Sequence, residues 1–187
     1  CKHETVTSST IYWCNECNGP LFEKECALCG HTADYIATDI RPVFPEERLL
    51  LSLLKKKSPF YYQDKSVWYG SNSYIVDGKK VKLSVGTINK WDLTKIKQIK
   101  EEYDKYSASI EYTAFEENIK TFVEANKDRY NYITQEAVSF VQGYRDRFPI
   151  EDMMVSFSGG KDSTVTSHIV NRALGTNKVL HIFGDTT

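Results

Sequence analysis

Two groups of residues in this 187-residue chain have the types and spacing to do chemistry. The first is a pair of Cys-x2-Cys motifs, Cys14/Cys17 and Cys26/Cys29, with eight residues between them and a glycine close behind each, Gly19 and Gly30. Two residues between thiolates let both sulfurs reach one ion while the backbone curls beneath them, and two such knuckles complete a tetrahedron around zinc. Four thiolates leave no position open for substrate or water, so the zinc is expected to be structural, stabilising a ribbon too small to fold on its own core. A rubredoxin-like iron site and a pairwise disulfide reading are the competitors, and nothing else in the chain suggests secretion. Cys1 is left over, and His31 follows Cys29 too closely to be an independent ligand and reads as a surface residue.

The second group is Ser158-Gly159-Gly160-Lys161-Asp162-Ser163, which follows the apolar run Met153-Met154-Val155-Ser156-Phe157 and precedes a helical pattern carrying Val165, Ile169, Val170 and Leu174. The helix is expected to stop at Gly175, with Val179 to Phe183 as a second strand. Such a strand–loop–helix–strand asks for an anion at its first junction. Glycines let the backbone approach phosphate oxygens without Cβ collisions, free amides at the helix start point at them, Ser158 and Ser163 add hydroxyls, and Lys161 adds positive charge. Asp162 beside phosphates is tolerable only if it caps the helix or holds a cation such as Mg2+. A Walker A loop is rejected twice, by Val155 where it needs glycine and by Asp162 where it needs Ser or Thr; the adjacent Gly159 and Gly160 reject a dinucleotide fingerprint.

These residues resemble the PP-loop of the adenine-nucleotide α-hydrolase superfamily. The longer text from Val155 through Ser163, with Asp185-Thr186 closing the next strand, is similar to the phosphoadenosine phosphosulfate (PAPS) reductase family. The resemblance covers about residues 113–187. It implies an enzyme that binds an adenine nucleotide (ATP, adenylyl sulfate or PAPS) across the strand ends, with Ser158, Gly159, Gly160, Lys161, Asp162 and Ser163 as the loop and Asp185 as the acidic residue after the second strand. Lys161 and Asp162 are then the candidate catalytic residues: Lys161 with the loop amides stabilises shifting negative charge, and Asp162 and Asp185 contact Mg2+ or ribose. Thr187 departs from the glycine common in the reductases. The superfamily reading spans sulfonucleotide reduction, sulfate adenylylation, ATP-dependent thiolation or amidation, and DNA phosphorothioation, and implies a thiol reductant or sulfur-donor protein as partner. No cysteine occurs after Cys29, so a reductase nucleophile is expected beyond Thr187 or is absent.

The elements that must position both groups come from pattern changes along the chain. Pro45 with Glu46 and Glu47 opens a helix carrying Leu49, Leu50, Leu53 and Leu54, which ends near Lys55, Lys56 and Lys57. From Tyr61 to Val85 the text becomes short and β-rich, with Asp77-Gly78 as a two-residue hairpin turn. Asp92 caps a helix with apolar Leu93, Ile96, Ile99, Tyr103 and Tyr106; Phe115, Ile119, Phe122 and Val123 make another, and Ala137, Val138, Val141 and Tyr144 a third. The expected fold class is α/β: a zinc ribbon (1–40), a small basic β-rich module (41–91), a connecting helix (92–112), and the start of a PP-loop nucleotide-binding domain with a doubly wound sheet (113–187). Two parallel strands do not complete such a sheet, and the chain begins at Cys1 without an initiator methionine, so an excerpt of a longer protein is expected.

Net charge is −1, with 41% hydrophobic and 26% charged residues, as in an ordinary soluble chain. No apolar run approaches the roughly 20 residues of a membrane span and no leader pattern is present, so no membrane partner and a cytoplasmic location are expected. The neutrality hides an asymmetry: residues 1–40 carry −4, residues 41–100 carry +8 and residues 101–187 carry −5. Lys79, Lys80 and Lys82 with Tyr61, Tyr62, Trp68 and Tyr69 suit either a nucleic-acid surface, in which case the ribbon and basic module deliver a sulfur-modifying enzyme to DNA or RNA, or a half-buried sheet with lysines on its wet face.

Overall fold

Ile11, Tyr12, Trp13 and Cys14, all suited to a pleated and half-buried surface, form strand β1 (Ile11–Cys14). It is the centre of an antiparallel sheet with β2 (Gly19–Leu21) and β3 (Asp34–Ala37), in the order β2-β1-β3. The structure, a computed structural model, describes residues 10–83 and 85–184 and is mixed α/β. Two compact units divide between Lys127 and Asp128.

In the first unit the ribbon sheet is followed by β4 (Arg41–Pro42), helix α1 (Pro45–Leu54), and β5 (Val67–Gly70), β6 (Ser73–Val76) and β7 (Lys79–Val81), which form a second antiparallel sheet in the order β4-β5-β6-β7. Asp77 and Gly78 have φ of 47° and 76°, the left-handed pair that a type I′ hairpin requires. Ser71 and Asn72, at 48° and 58°, make the same kind of turn between β5 and β6 without a glycine, and so carry a weaker signal. A short helix α2 (Val85–Ile88), then α3 (Leu93–Ser107) and α4 (Thr113–Ala125) complete the unit. The Asp92 carboxylate accepts the Lys95 N–H at 2.8 Å, as its N-cap role demands.

The two sheets share one core. Ile11 and Trp13 of β1 and Ile36 and Ala37 of β3 pack with Trp68 and Ile75 of the second sheet, and α4 adds Ile119 and Phe122. Close approach depends on two glycines. A Cβ at Gly78 would lie 2.7 Å from the Trp13 indole Nε1, and one at Gly70 would lie 2.1 Å from the Asp39 carbonyl oxygen. Helix α4, read from the sequence as opening the last domain, lies in the first compact unit, which runs to Lys127. The apolar stripe of α4 is used against the ribbon and second sheet, and Asn126 fastens its end: its amide donates to the carbonyls of Pro20 (3.0 Å) and Phe122 (2.8 Å) and accepts the Phe22 N–H (2.8 Å).

Arg48 is the other fastening. Only 1% exposed, it donates to the carbonyls of Val43, Gln63 and Lys65 at 2.9–3.0 Å, and its guanidinium lies 5.5 Å from the Phe115 ring centroid. Burial pushes its pKa down to about 10, so it stays charged at neutral pH and the three carbonyls compensate that charge. Nearby, Arg41 grips Glu47 with two 2.8 Å hydrogen bonds and Tyr74 donates to the same carboxylate at 2.9 Å.

The second unit contains α5 (Lys127–Arg145), a 3-10 turn (Ile150–Asp152), β8 (Met154–Phe157), α6 (Lys161–Leu174) and β9 (Leu180–Phe183). β8 and β9 pair in parallel, Met154 with Leu180 through Phe157 with Phe183, so α6 is the crossover of a βαβ unit. Gly175 ends α6 at φ 66°. Val155, Leu174 and Val179 form the small core, while Met154, Leu180, Ile182 and Phe183 remain exposed.

Asn126→Ala removes the buried hydrogen bond to the Pro20 carbonyl and the part-buried one from the Phe22 N–H, and is expected to destabilise the first unit by about 1–2 kcal/mol in denaturant titrations. The Arg41 guanidinium holds the Glu47 carboxyl below its usual range. That stabilisation is present above the unfolded carboxylate pKa of about 4.3 and is lost as pH falls through the lower folded value. Glu47→Gln should therefore be less stable than the parent at pH 7, with the gap closing as both are acidified toward pH 3.

Candidate functional site

The four knuckle cysteines sit at the turn ends of β1 and β2 and in the loop before β3, and their sulfurs all lie within 4.8 Å of one another. Cys14 and Cys29 Sγ are 3.5 Å apart and Cys17 and Cys26 Sγ 3.7 Å. Disulfide sulfurs would be about 2.05 Å apart. A tetrahedron with zinc–sulfur bonds of about 2.3 Å has edges of about 3.8 Å, close to both spacings. The Cys17 N–H points at Cys14 Sγ (3.4 Å), the knuckle bond that steadies a thiolate.

Burial pushes the Cys14 and Cys17 thiols up, whereas the backbone N–H of His31 draws Cys29 down to about 6. A divalent cation supplies the charge compensation that burial denies to the first two. These four residues are positioned to hold a metal ion, and the donor set is compatible with zinc. His31 is exposed, as expected.

The glycine-rich segment forms a loop from the end of β8 to the start of α6 and brings Ser158, Gly159, Gly160, Lys161, Asp162 and Ser163 together. Gly159 has φ 76°, a conformation that disfavours any side chain, although a Cβ there would only touch the Phe183 ring at 3.6 Å. Gly160 is the N-cap and offers no side chain, so the amides of the first turn of α6 have no side-chain cap. The Ser163 and Thr164 hydroxyls each donate to the Gly160 carbonyl at 2.9 Å, and the Ser158 hydroxyl lies 3.4 Å from Ser163 Oγ. The hydroxyls thus brace the loop. Lys161 and Asp162 are exposed. Asp185 lies outside the described residues.

Two features of the second unit carry no motif that flags them. An apolar cleft of about 500 Å³ runs between α5 and α6, lined by Tyr130, Ile133, Ala137, Val165 and His168; its only trace in the sequence is the three- and four-residue spacing of those positions. Ser167 Oγ lies 2.7 Å from His181 Nε2, and His181 Nδ1 lies 2.7 Å from the Val179 carbonyl. A carbonyl only accepts, so Nδ1 donates to Val179 and Nε2 is the ring atom that meets the serine hydroxyl.

The basic module requires a correction. Lys79, Lys80 and Lys82 are exposed, but Tyr62 (5%) and Trp68 (2%) are core residues, and only Tyr61 among the named aromatics is exposed. Trp68 packs against Trp13 and Phe122, and Tyr62 lies beneath α1 with Val43 and Leu51. The second sheet uses its aromatics for packing.

Chelation of a bound metal, or Cys26→Ser, is expected to destabilise the ribbon sheet, because one of its faces packs on the cysteine cluster with Leu21, Ala33 and Ala125. Metal analysis should find a single ion per chain in the parent and a large loss in the variant, with altered Trp13 fluorescence. No family model matches the chain, and no curated protein or solved structure matches it.

Proposed function

We propose that this chain is part of an adenine-nucleotide enzyme similar to PAPS reductases, in which the Ser158–Ser163 loop holds the phosphates or sulfate of ATP, adenylyl sulfate or PAPS and the ribbon holds a structural zinc. The observation that carries the reading is the conjunction at one βα junction of a left-handed glycine, a glycine N-cap without a side-chain cap and an adjacent exposed lysine. Backbone amides at a helix start complement negative charge without cost to a Cβ, and Lys161 adds a full charge where an oxyanion shifts during transfer. Asp162 is in the first turn, where a carboxylate favours the helix dipole and remains available to Mg2+.

The reaction is either sulfonucleotide reduction or ATP-dependent transfer of sulfur or an adenylyl group. Reduction needs a thiolate nucleophile or an external thiol. Four of the five cysteines form the metal cluster, so within this chain the thiol falls to Cys1 or to a partner molecule.

Calorimetry with ATP, adenylyl sulfate and PAPS on the chain is expected to show binding of at least one of them. Lys161→Ala should weaken it by roughly tenfold or more, since a charge-assisted contact contributes about 1.5–3 kcal/mol. Absence of binding by all three to the parent would overturn the nucleotide reading.

A further inference from the structure

We propose that the surface at the C-terminal end of α1, built from Lys55, Lys56, Lys57, Lys65, Lys82 and Tyr61, binds the phosphate backbone of single-stranded nucleic acid. The tertiary structure assembles this cluster from three segments. Lys57 Nζ and Lys65 Nζ lie 5.3 and 5.4 Å from the centroid of the exposed Tyr61 ring, and Lys55 Nζ hydrogen-bonds the Lys82 carbonyl. Between Arg48 and Asp77 the only carboxylate in the sequence is Asp64. Among the described residues the one ion pair in the cluster joins Lys65 to Asp77, at 3.5 Å. That carboxylate also accepts from the Ser66 N–H and from Asn18.

The ordinary explanation for lysines at a helix end is that they satisfy its last carbonyls and its dipole. Here the backbone already does so. The Lys57 N–H donates to Ser52 O at 2.9 Å, the Lys56 N–H to Leu53 O at 3.0 Å and the Lys55 N–H to Leu51 O at 2.9 Å, a Schellman arrangement that leaves the side chains to other uses. In that arrangement Lys56 occupies the left-handed position, at φ 54°, where glycine is the least strained residue. Lys56 thus places an exposed charge between two other lysines at a position whose backbone would suit glycine better. The chain as a whole has net charge −1, so the cluster is a local field and not a general polycation.

Single-stranded nucleic acid fits better than an anionic membrane. The apolar group in the cluster is one tyrosine ring flanked by ammonium groups, the combination that stacks a base while neutralising its phosphates. A membrane contact of this size calls for an acyl chain or an amphipathic helix beside the lysines. The lysine cluster and the Ser158–Ser163 loop share no residue and belong to different units, so the two readings stand or fall independently.

The test is fluorescence anisotropy of the metal-loaded chain with labelled twenty-nucleotide oligo(dT) and oligo(U), at 50 to 200 mM KCl. With about four phosphates neutralised, affinity should fall roughly 50-fold across that range. Lys56→Gly with Lys57→Ala should halve the salt slope and weaken binding at 50 mM, while the single Lys56→Gly variant melts no lower than the parent because glycine suits its φ. Lys24→Ala with Lys120→Ala, which removes the same charge elsewhere in the first unit, should bind like the parent, as should Lys161→Ala. No binding at 50 mM, salt-independent binding, unchanged binding by the Lys56/Lys57 variant, or tighter association with duplex DNA or phosphatidylserine vesicles would each overturn the proposal.

Discussion

The first unit depends on the two-residue period of one short strand. In β1, Ile11 and Trp13 point into the core shared with the second sheet, while Tyr12 and Cys14 lie against the thiolate cluster with Leu21, Cys26 and Ala125. Successive side chains of a strand must face opposite ways, so a metal that fixes Cys14 also fixes the direction of Trp13. A one-residue slip would withdraw a ligand from the metal and a tryptophan from the core together. The cysteine cluster positioned to hold a metal and the packing of the sheets are therefore two faces of a single register.

Trp13 can serve both sheets because nothing stands between it and the Asp77–Gly78 turn. The turn needs left-handed residues for its twist, and the indole needs a missing Cβ at Gly78 for its position; glycine answers both demands. Around this joint two buried polar side chains, Arg48 and Asn126, each hold several partners. Arg48 satisfies the carbonyls of a loop with no regular structure of its own, and Asn126 stitches the end of α4 to the edge of the ribbon. The Ala27 N–H also donates to the Ala125 carbonyl, at 3.3 Å, so the end of α4 touches both the second knuckle and the ribbon edge. Such contacts convert a metal ribbon and a small sheet into one cooperative body.

The second unit is organised differently. Its loop is shaped by backbone conformation, through a left-handed Gly159 and a bare N-cap at Gly160, and braced by hydroxyls that turn inward. The neighbouring cleft between α5 and α6 and the Ser167–His181 pair surround the same helix with apolar and polar surfaces of different character.

The amino-acid sequence by itself determined whatever depends on local spacing or on one residue's conformational limits. The doubled Cys-x2-Cys pattern, the Asp77-Gly78 hairpin, proline at the start of α1, Asp92 as a cap, Gly175 as a stop and the glycine-rich junction are all of this kind, because each acts within a few residues of itself. Tertiary structure alone decided which apolar faces met. The stripe of α4 reads equally well as the opening of the second unit, yet Ile119 and Phe122 pack on the ribbon and second sheet. Tyr62 and Trp68 look like an exposed stacking surface beside lysines and are core, since an aromatic's burial depends on what arrives from elsewhere in the chain. The partners of Arg48 and Asn126, and the convergence of Lys57 and Lys65 on Tyr61, are set by contacts that no local period encodes.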